Sequence, residues 1–167
     1  MIELKNISKS FKTRHGRVDA LQDVSLNVEK GSFTMLYGSS GSGKSTLLNI
    51  LGLMDKPDSG QYFLDGTDMT ALSSKERTAA RGSRIGFIFQ SFNLIPVMTA
   101  YENVELVLGY RGLPKAEREE RVTEALESVG LGGRMHHRPS EMSGGEQQRA
   151  AIARAMIMKP SILLTFA

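Results

Sequence analysis

The chain has 167 residues, no cysteine, no tryptophan and a formal net charge of +3. The missing cysteine excludes disulfide frameworks, thiolate metal sites and cysteine nucleophiles, and so small a positive excess gives no argument for a nucleic-acid partner. No apolar run reaches the ~20 residues of a membrane-spanning helix, and Met1-Ile2-Glu3-Leu4 lacks the basic and apolar regions of a signal peptide.

Leu21, Val24, Leu26 and Val28 alternate with polar residues, as in a half-buried strand with one irregularity. Lys30-Gly31-Ser32 is a turn signal, and Phe33-Thr34-Met35-Leu36-Tyr37 then has the composition of a short buried strand. A run of only Gly and Ser over 38–43 leads into a helical stretch, 44–51. Pro57-Asp58-Ser59-Gly60 predicts a turn and residues 61–64 a strand. Residues 73–81 read as a short polar helix and 85–89 as an apolar strand ending at Gln90. Thr99-Ala100-Tyr101-Glu102 matches a capping box. Pro114 suits the first turn of the next helix, where Val122, Ala125, Leu126 and Val129 share a face. Ser143-Gly144-Gly145-Glu146 is a second capping box. It opens a helix with Ile152, Ala155 and Met156 on one stripe, which Pro160 ends. Ile162-Leu163-Leu164 begins a last apolar strand. Alternating strands and helices argue for an α/β fold with a mainly parallel sheet.

Gly38-Ser39-Ser40-Gly41-Ser42-Gly43-Lys44-Ser45 fits the phosphate-loop pattern G-x-x-x-x-G-K-S/T in full. Glycines let the backbone curl so that successive amides point inward as an anion nest. The helix that follows, opening through Thr46, adds free donors and partial positive charge. Lys44 can reach β- and γ-phosphates, and the Ser45 hydroxyl can ligate Mg²⁺. A flexible Gly/Ser linker is the bland alternative, and the apolar stretch before with a helix after speaks against it.

Met142-Ser143-Gly144-Gly145-Glu146-Gln147-Gln148-Arg149 resembles the L-S-G-G-Q signature of ATP-binding cassette (ABC) ATPases, with Met142 for Leu and Glu146 for Gln. Residues 150–156 resemble the helix that carries it. Gly144 and Gly145 leave the first turn almost free of side chains, so a phosphate can approach the amides. The resemblance implies that Ser143, Gly144, Gly145 and Glu146 meet the γ-phosphate held by a second subunit, two ATP molecules being sandwiched in a head-to-tail dimer. It places Phe11 where the family stacks adenine, with a core aromatic as the alternative. It makes Gln90 the Q-loop glutamine, able to join Ser45 in the Mg²⁺ shell, and puts the dock for a membrane permease near residues 90–98, on Phe92, Leu94, Ile95, Pro96 and Met98.

Residues 50–57, 90–96 and 101–106 are similar to the subgroup of lipoprotein-release and macrolide-export ATPases, with the cell-division ATPase related. The resemblance runs from Ile2 to Leu164. It implies a P-loop NTPase fold of the ABC type: an N-terminal antiparallel β portion, a parallel-sheet core and a helical signature subdomain. The expected division is 1–90 for the phosphate-loop core and β portion, 91–158 for the helical part, and 159–167 for the start of the Walker B strand. Localisation on the cytoplasmic face of the inner membrane of a bacterium or archaeon follows from the same likeness.

The family continues after Ile162-Leu163-Leu164 with a small residue, then Asp-Glu-Pro; here Thr165-Phe166-Ala167 stands. The resemblance thus implies that the Mg²⁺-holding Asp, the water-polarising Glu and a later switch His are missing, that the core is incomplete, and that the chain is C-terminally truncated with little turnover. In the family, a strand following this one lies between it and the phosphate-loop strand. The rival reading is a non-catalytic nucleotide-binding module, or an inactive fragment, beside an intact copy. A chromosome-structure ATPase is disfavoured, since no sustained heptads separate Lys44 from Ser143. His136-His137 reads as solvated, adjacent helical residues pointing about 100° apart, and Lys9, Lys12, Arg14, His15 and Arg17 as a solvated basic loop.

Overall fold

The computed structural model describes residues 1–14, 16–109 and 112–166. His15 of the basic segment and Ala167 at the chain end lie outside the described residues. The chain divides into two compact units, Met1–Ala79 and Ala80–Ala167.

In the first unit β1 (Ile2–Thr13), β2 (Gly16–Val28), β3 (Ser59–Leu64) and β4 (Thr67–Asp68) form an antiparallel sheet in the order β2-β1-β3-β4. The alternation in β2 is as expected: Leu21 is buried, Val24, Leu26 and Val28 are half-buried, and the residues between them are exposed. The irregularity is a bulged stretch in which the β1–β2 register slips between Leu4 and Ser10. Asn6 and Asp23, both at φ 51, bridge it through Asn6 Nδ2, which donates to Asp23 Oδ1 at 2.6 Å. Ile2, Leu4, Ile7, Tyr62 and Leu64 are buried, as are Leu47, Ile50 and Leu51 of helix α1 (Lys44–Leu51). The Tyr62 hydroxyl donates to the Leu51 carbonyl at 3.0 Å and ties β3 to the end of α1. Burial pushes its pKa well above the usual phenol range.

One expected element is absent. Residues 33–37 form no strand, and Phe33, Met35 and Tyr37 are 89%, 72% and 96% exposed. An apolar sequence becomes a strand only beside another strand that takes up its amides and carbonyls. None of the described strands pairs with this segment. The turn before it forms as expected, with Ser32 N donating to Glu29 O at 3.3 Å.

Helix α2 (Ser74–Arg84) starts on a Ser73–Glu76 capping box and runs past the expected end at residue 81. In the second unit β5 (Ile85–Phe89) and β6 (Ile162–Phe166) pair in parallel, Ile85 opposite Ile162 and Phe89 opposite Phe166. β5, grouped in the sequence with the phosphate loop, thus lies in the second unit. Helices α3 (Ala100–Gly109), α4 (Lys115–Ser128) and α5 (Gly144–Met156) enclose a core of Ala100, Val104, Leu108, Val122, Leu126, Leu131, Met142, Ala150, Ala153 and Ile157. The buried face of α5 is its alanines; Ile152 is half-buried and Met156 is 54% exposed, against the expected stripe. Small side chains let neighbours close in. A Cβ on Gly86 of β5 would lie 2.6 Å from the Ala155 carbonyl oxygen.

Both capping boxes close. Thr99 N donates to Glu102 Oε2 at 2.7 Å and Glu102 N to Thr99 Oγ1 at 3.2 Å; Ser143 N donates to Glu146 Oε2 at 2.7 Å and Glu146 N to Ser143 Oγ at 3.3 Å. These bonds hold both carboxyls below the usual glutamate range. The caps therefore stabilise at neutral pH, and their contribution is lost as pH falls through that lowered range.

Candidate functional site

The phosphate loop is shaped by two glycines with positive φ, Gly41 at 80° and Gly43 at 88°. Ser42 N turns back to Ser39 O at 3.3 Å. Gly43 is also pressed against β2, where a Cβ would lie 2.4 Å from the Ala20 carbonyl oxygen. That contact seats the start of α1 on the sheet. The first intrahelical bond of α1 runs from Leu47 N to Gly43 O at 2.9 Å. The amides of Lys44, Ser45 and Thr46 thus have no helical acceptor. No side chain caps this end, and no acidic residue stands in its first turn. The Lys44 ammonium donates to Gly38 O and Ser39 O at 2.7 Å each, and reaches Ser42 Oγ at 3.3 Å. Gly38, Ser39, Ser40, Gly41, Ser42 and Gly43 with Lys44, Ser45 and Thr46 thereby gather free donors and one cation around a loop with no carboxylate. That donor set fits a polyphosphate. For Mg²⁺ the exposed Ser45 hydroxyl offers one oxygen, leaving phosphate oxygens and water to complete the shell.

Phe11 lies on β1 opposite Val18, in the same unit as the loop, and is 42% exposed, so it is no core aromatic. Of the basic segment's described residues Lys12, Arg14 and Arg17 are exposed, as expected, and Lys9 alone is not. The Lys9 side chain is only 12% exposed and pairs with Asp55 at 2.9 Å, while Arg17 pairs with Asp19 at 2.9 Å.

In the second unit the signature turn is exposed at Ser143, Gly144 and Gly145. As the first two residues of α5, Gly144 and Gly145 have amides without helical acceptors. Glu146 folds back onto the Ser143 amide and hydroxyl, and its other oxygen lies 3.4 Å from Arg134 Nε. The carboxylate that replaces the expected glutamine is thus both bonded and partnered. Arg134 also lies 3.1 Å from His137 Nε2. His137 is half-buried rather than solvated, while His136 is exposed and stacks on Tyr101 at 6.3 Å.

Gln90 is exposed directly after β5. The loop beyond it is pinned twice. Arg154 of α5 donates to the Asn93 carbonyl at 2.6 Å and the Phe92 carbonyl at 2.7 Å, both residues being left-handed at φ 49 and 59. Asn103 of α3, fully buried, bonds Ile95, Met98 and Thr99. Phe92, Leu94, Ile95 and Met98 are half-buried; Pro96 is exposed and Val97 is 75% exposed. Phe166, at the position of the expected Asp, packs its ring 5.3 Å from Phe89 and 6.4 Å from Phe87.

The structure therefore gathers residues 38–46 in the first unit and 143–146 in the second. Sequence reading missed Lys9, Asn103, Arg134 and Arg154 as supports of these sites. Only Lys9 had a local signal, two residues before Phe11 on a strand. Among the described residues no helix is long and apolar enough to cross a membrane.

The family model described as ABC transporter matches residues 21–165. The chain is 47% identical to the ABC transporter ATP-binding protein YknY of Bacillus subtilis, covering 98% of this chain and 71% of YknY. It is 46% identical to the macrolide export ATP-binding/permease protein MacB of Brucella melitensis, over 98% of this chain and 25% of MacB. The dimeric post-hydrolysis structure of the ATP-binding cassette MJ0796, of Methanocaldococcus jannaschii, bound to ADP and Pi, superposes with a TM-score of 0.88 at 44% identity, over 99% of this chain and 73% of that one. With the phosphate loop and the signature turn both in place, the chain belongs to the ABC transporter family, as an ATP-binding chain of that family.

Proposed function

We propose that this chain binds ATP–Mg²⁺ on the phosphate loop and serves as the nucleotide-binding part of an export or lipoprotein-release transporter. The carrying observation is the loop itself: uncapped amides at the start of α1, two positive-φ glycines and a lysine, with no acid in the first turn. Residues 38–44 and Thr46 hold the phosphates, Phe11 stacks the adenine, and Ser45 with Gln90 supplies oxygen to Mg²⁺. Ser143, Gly144, Gly145 and Glu146 face the γ-phosphate on a second ATPase chain. A permease docks near residues 90–98, where Pro96 and Val97 are exposed, on the cytoplasmic side of the cell membrane. The dimer of MJ0796 and the ATP-binding/permease composition of MacB support these partners.

ATP–Mg²⁺ at about one hundred times its Kd is expected to stabilise the fold by about 2.7 kcal/mol, a rise in Tm of roughly 5–10 °C. Lys44→Ala should remove that rise. No rise in the unsubstituted protein would refute nucleotide binding.

A second reading, a binding module without turnover, is favoured by Phe166, whose ring packs among Phe87 and Phe89 and has no oxygen to offer a metal. Loss of the acid–base group alone costs about 10²–10⁴-fold. Steady-state phosphate release is therefore expected at least ~10²-fold below that of full-length YknY under the same conditions. Comparable rates would overturn this second reading.

A further inference from the structure

Lys9 is held with unusual firmness for a strand lysine. Its ammonium donates to Asp55 Oδ1 at 2.9 Å and the Lys56 carbonyl at 2.6 Å, with Asp58 at 3.7 Å. The next residue is fixed as well: Ser10 donates to Asp58 Oδ2 through its amide at 2.8 Å and its hydroxyl at 2.7 Å. The ammonium so placed lies 5.4 Å from the centroid of the Phe11 ring. Lys9 pairs with Leu21 on β2, beside the Ala20 carbonyl against which Gly43 is pressed. Pinned lysine, ring and loop thus lie along one short stretch of the β1–β2 ribbon.

We propose that Lys9 is a positioning residue for nucleotide binding, holding Phe11 as the platform on which the adenine ring stacks. This rests on the reading of Phe11 and the phosphate loop as one ATP site. The chemistry has two parts. A cation near an aromatic ring is attracted by the negative charge of its face, which restricts the ring's rotamers. Drawing charge from that face also makes the ring a better partner for an electron-rich purine, since stacked rings repel through their like-charged faces. Asp55 and Asp58 keep the ammonium where it can act and stop it from turning toward the phosphates. Lys44 is left as the loop's phosphate-binding cation.

The discriminating experiment compares ATP–Mg²⁺ with inorganic tripolyphosphate–Mg²⁺, which offers the phosphates and no base. Calorimetry is run on the full chain and on its Lys9→Met, Lys9→Arg and Phe11→Leu forms. Lys9→Met is expected to weaken ATP about three- to five-fold and Phe11→Leu by at least as much. Tripolyphosphate should bind all four alike, and Lys9→Arg should restore ATP affinity because guanidinium keeps both the ion pair and the ring contact. Should Lys9→Met not fold, Lys9→Gln takes its place, since its amide can still donate to Asp55 while the charge beside the ring is gone. Equal ATP affinity in all forms, or equal loss of ATP and tripolyphosphate, overturns the role of Lys9 and leaves the phosphate loop standing. Failure of the unsubstituted protein to bind tripolyphosphate overturns the loop reading and this inference together.

Discussion

Gly43→Ala is expected to lower the stability of the phosphate-loop unit by about 3 kcal/mol and to abolish stabilisation by ATP–Mg²⁺. Two costs combine. Gly43 has φ 88, a region that costs a residue with a Cβ roughly 1 kcal/mol. The added methyl would also sit 2.4 Å from the Ala20 carbonyl oxygen and 3.0 Å from Leu21 Cδ2. The first neighbour is backbone of β2 and cannot rotate aside, so α1 must lift from the sheet, at about 1–3 kcal/mol as for other overpacked sites. Gly41 separates the two terms, because it has φ 80 and nothing within 4 Å of an added Cβ. Gly41→Ala should cost only the backbone strain. Urea midpoints for the two substitutions, read with and without ATP–Mg²⁺, make the comparison. Equal midpoints would mean that the contact with Ala20 does not hold the loop in place.

What could be read from the sequence was what is local. The phosphate loop, both capping boxes, the helix over 44–51 and the strand over 85–89 depend on residues within a few positions of each other, and all appear. Both strands of the parallel pair β5–β6 were legible as apolar runs; that they pair with each other was not. Residues 33–37 show where that logic stops. Their apolar character was real, but a strand is a property of a pair, and sequence pattern cannot supply the neighbour. The site's supports were hidden for a related reason. Arg154 reaches a carbonyl 61 residues away, at Asn93. Arg134 meets Glu146 only because the 3-10 segment Gly132–Arg134 lies beside the start of α5. Neither spacing carries a periodicity that could have announced it. Phe166 went unread in another way. That a phenylalanine stands at the position of the expected Asp was visible, whereas the aromatic cluster it joins exists only once β5 and β6 pair.

Asn103→Asp should be the most damaging single-atom exchange in the second unit, costing about 3–5 kcal/mol at neutral pH. Asn103 is fully buried, the sole polar or charged side chain so placed among the described residues. Its Oδ1 accepts from Ile95 N at 2.7 Å, and its Nδ2 faces the carbonyls of Ile95, Met98 and Thr99 at 3.2, 3.2 and 2.9 Å. An amide suits this cradle because one end accepts and the other donates. A carboxylate keeps the first bond and turns an anion toward three carbonyl oxygens, with no cation paired to the Asn103 side chain among the described residues. Burial and those oxygens would raise the pKa of the new acid above its unfolded value. Its protonated form then contributes stability that is present at low pH and lost as pH rises through the raised value. The deficit against the unsubstituted protein should therefore be larger at pH 7.5 than at about pH 5, a reversal of what the capping glutamates do. Asn103→Leu, of similar volume, should be destabilised at both pH values alike, since it leaves the loop carbonyls unbonded without adding charge. Thermal unfolding of the three proteins at the two pH values tests the argument. At neutral pH Asn103→Asp should melt roughly 10 °C or more below the parent. A Tm within a degree or two of the parent, or a deficit that shrinks as pH rises, would show that Asn103 is not what holds the turn beyond Gln90 to α3.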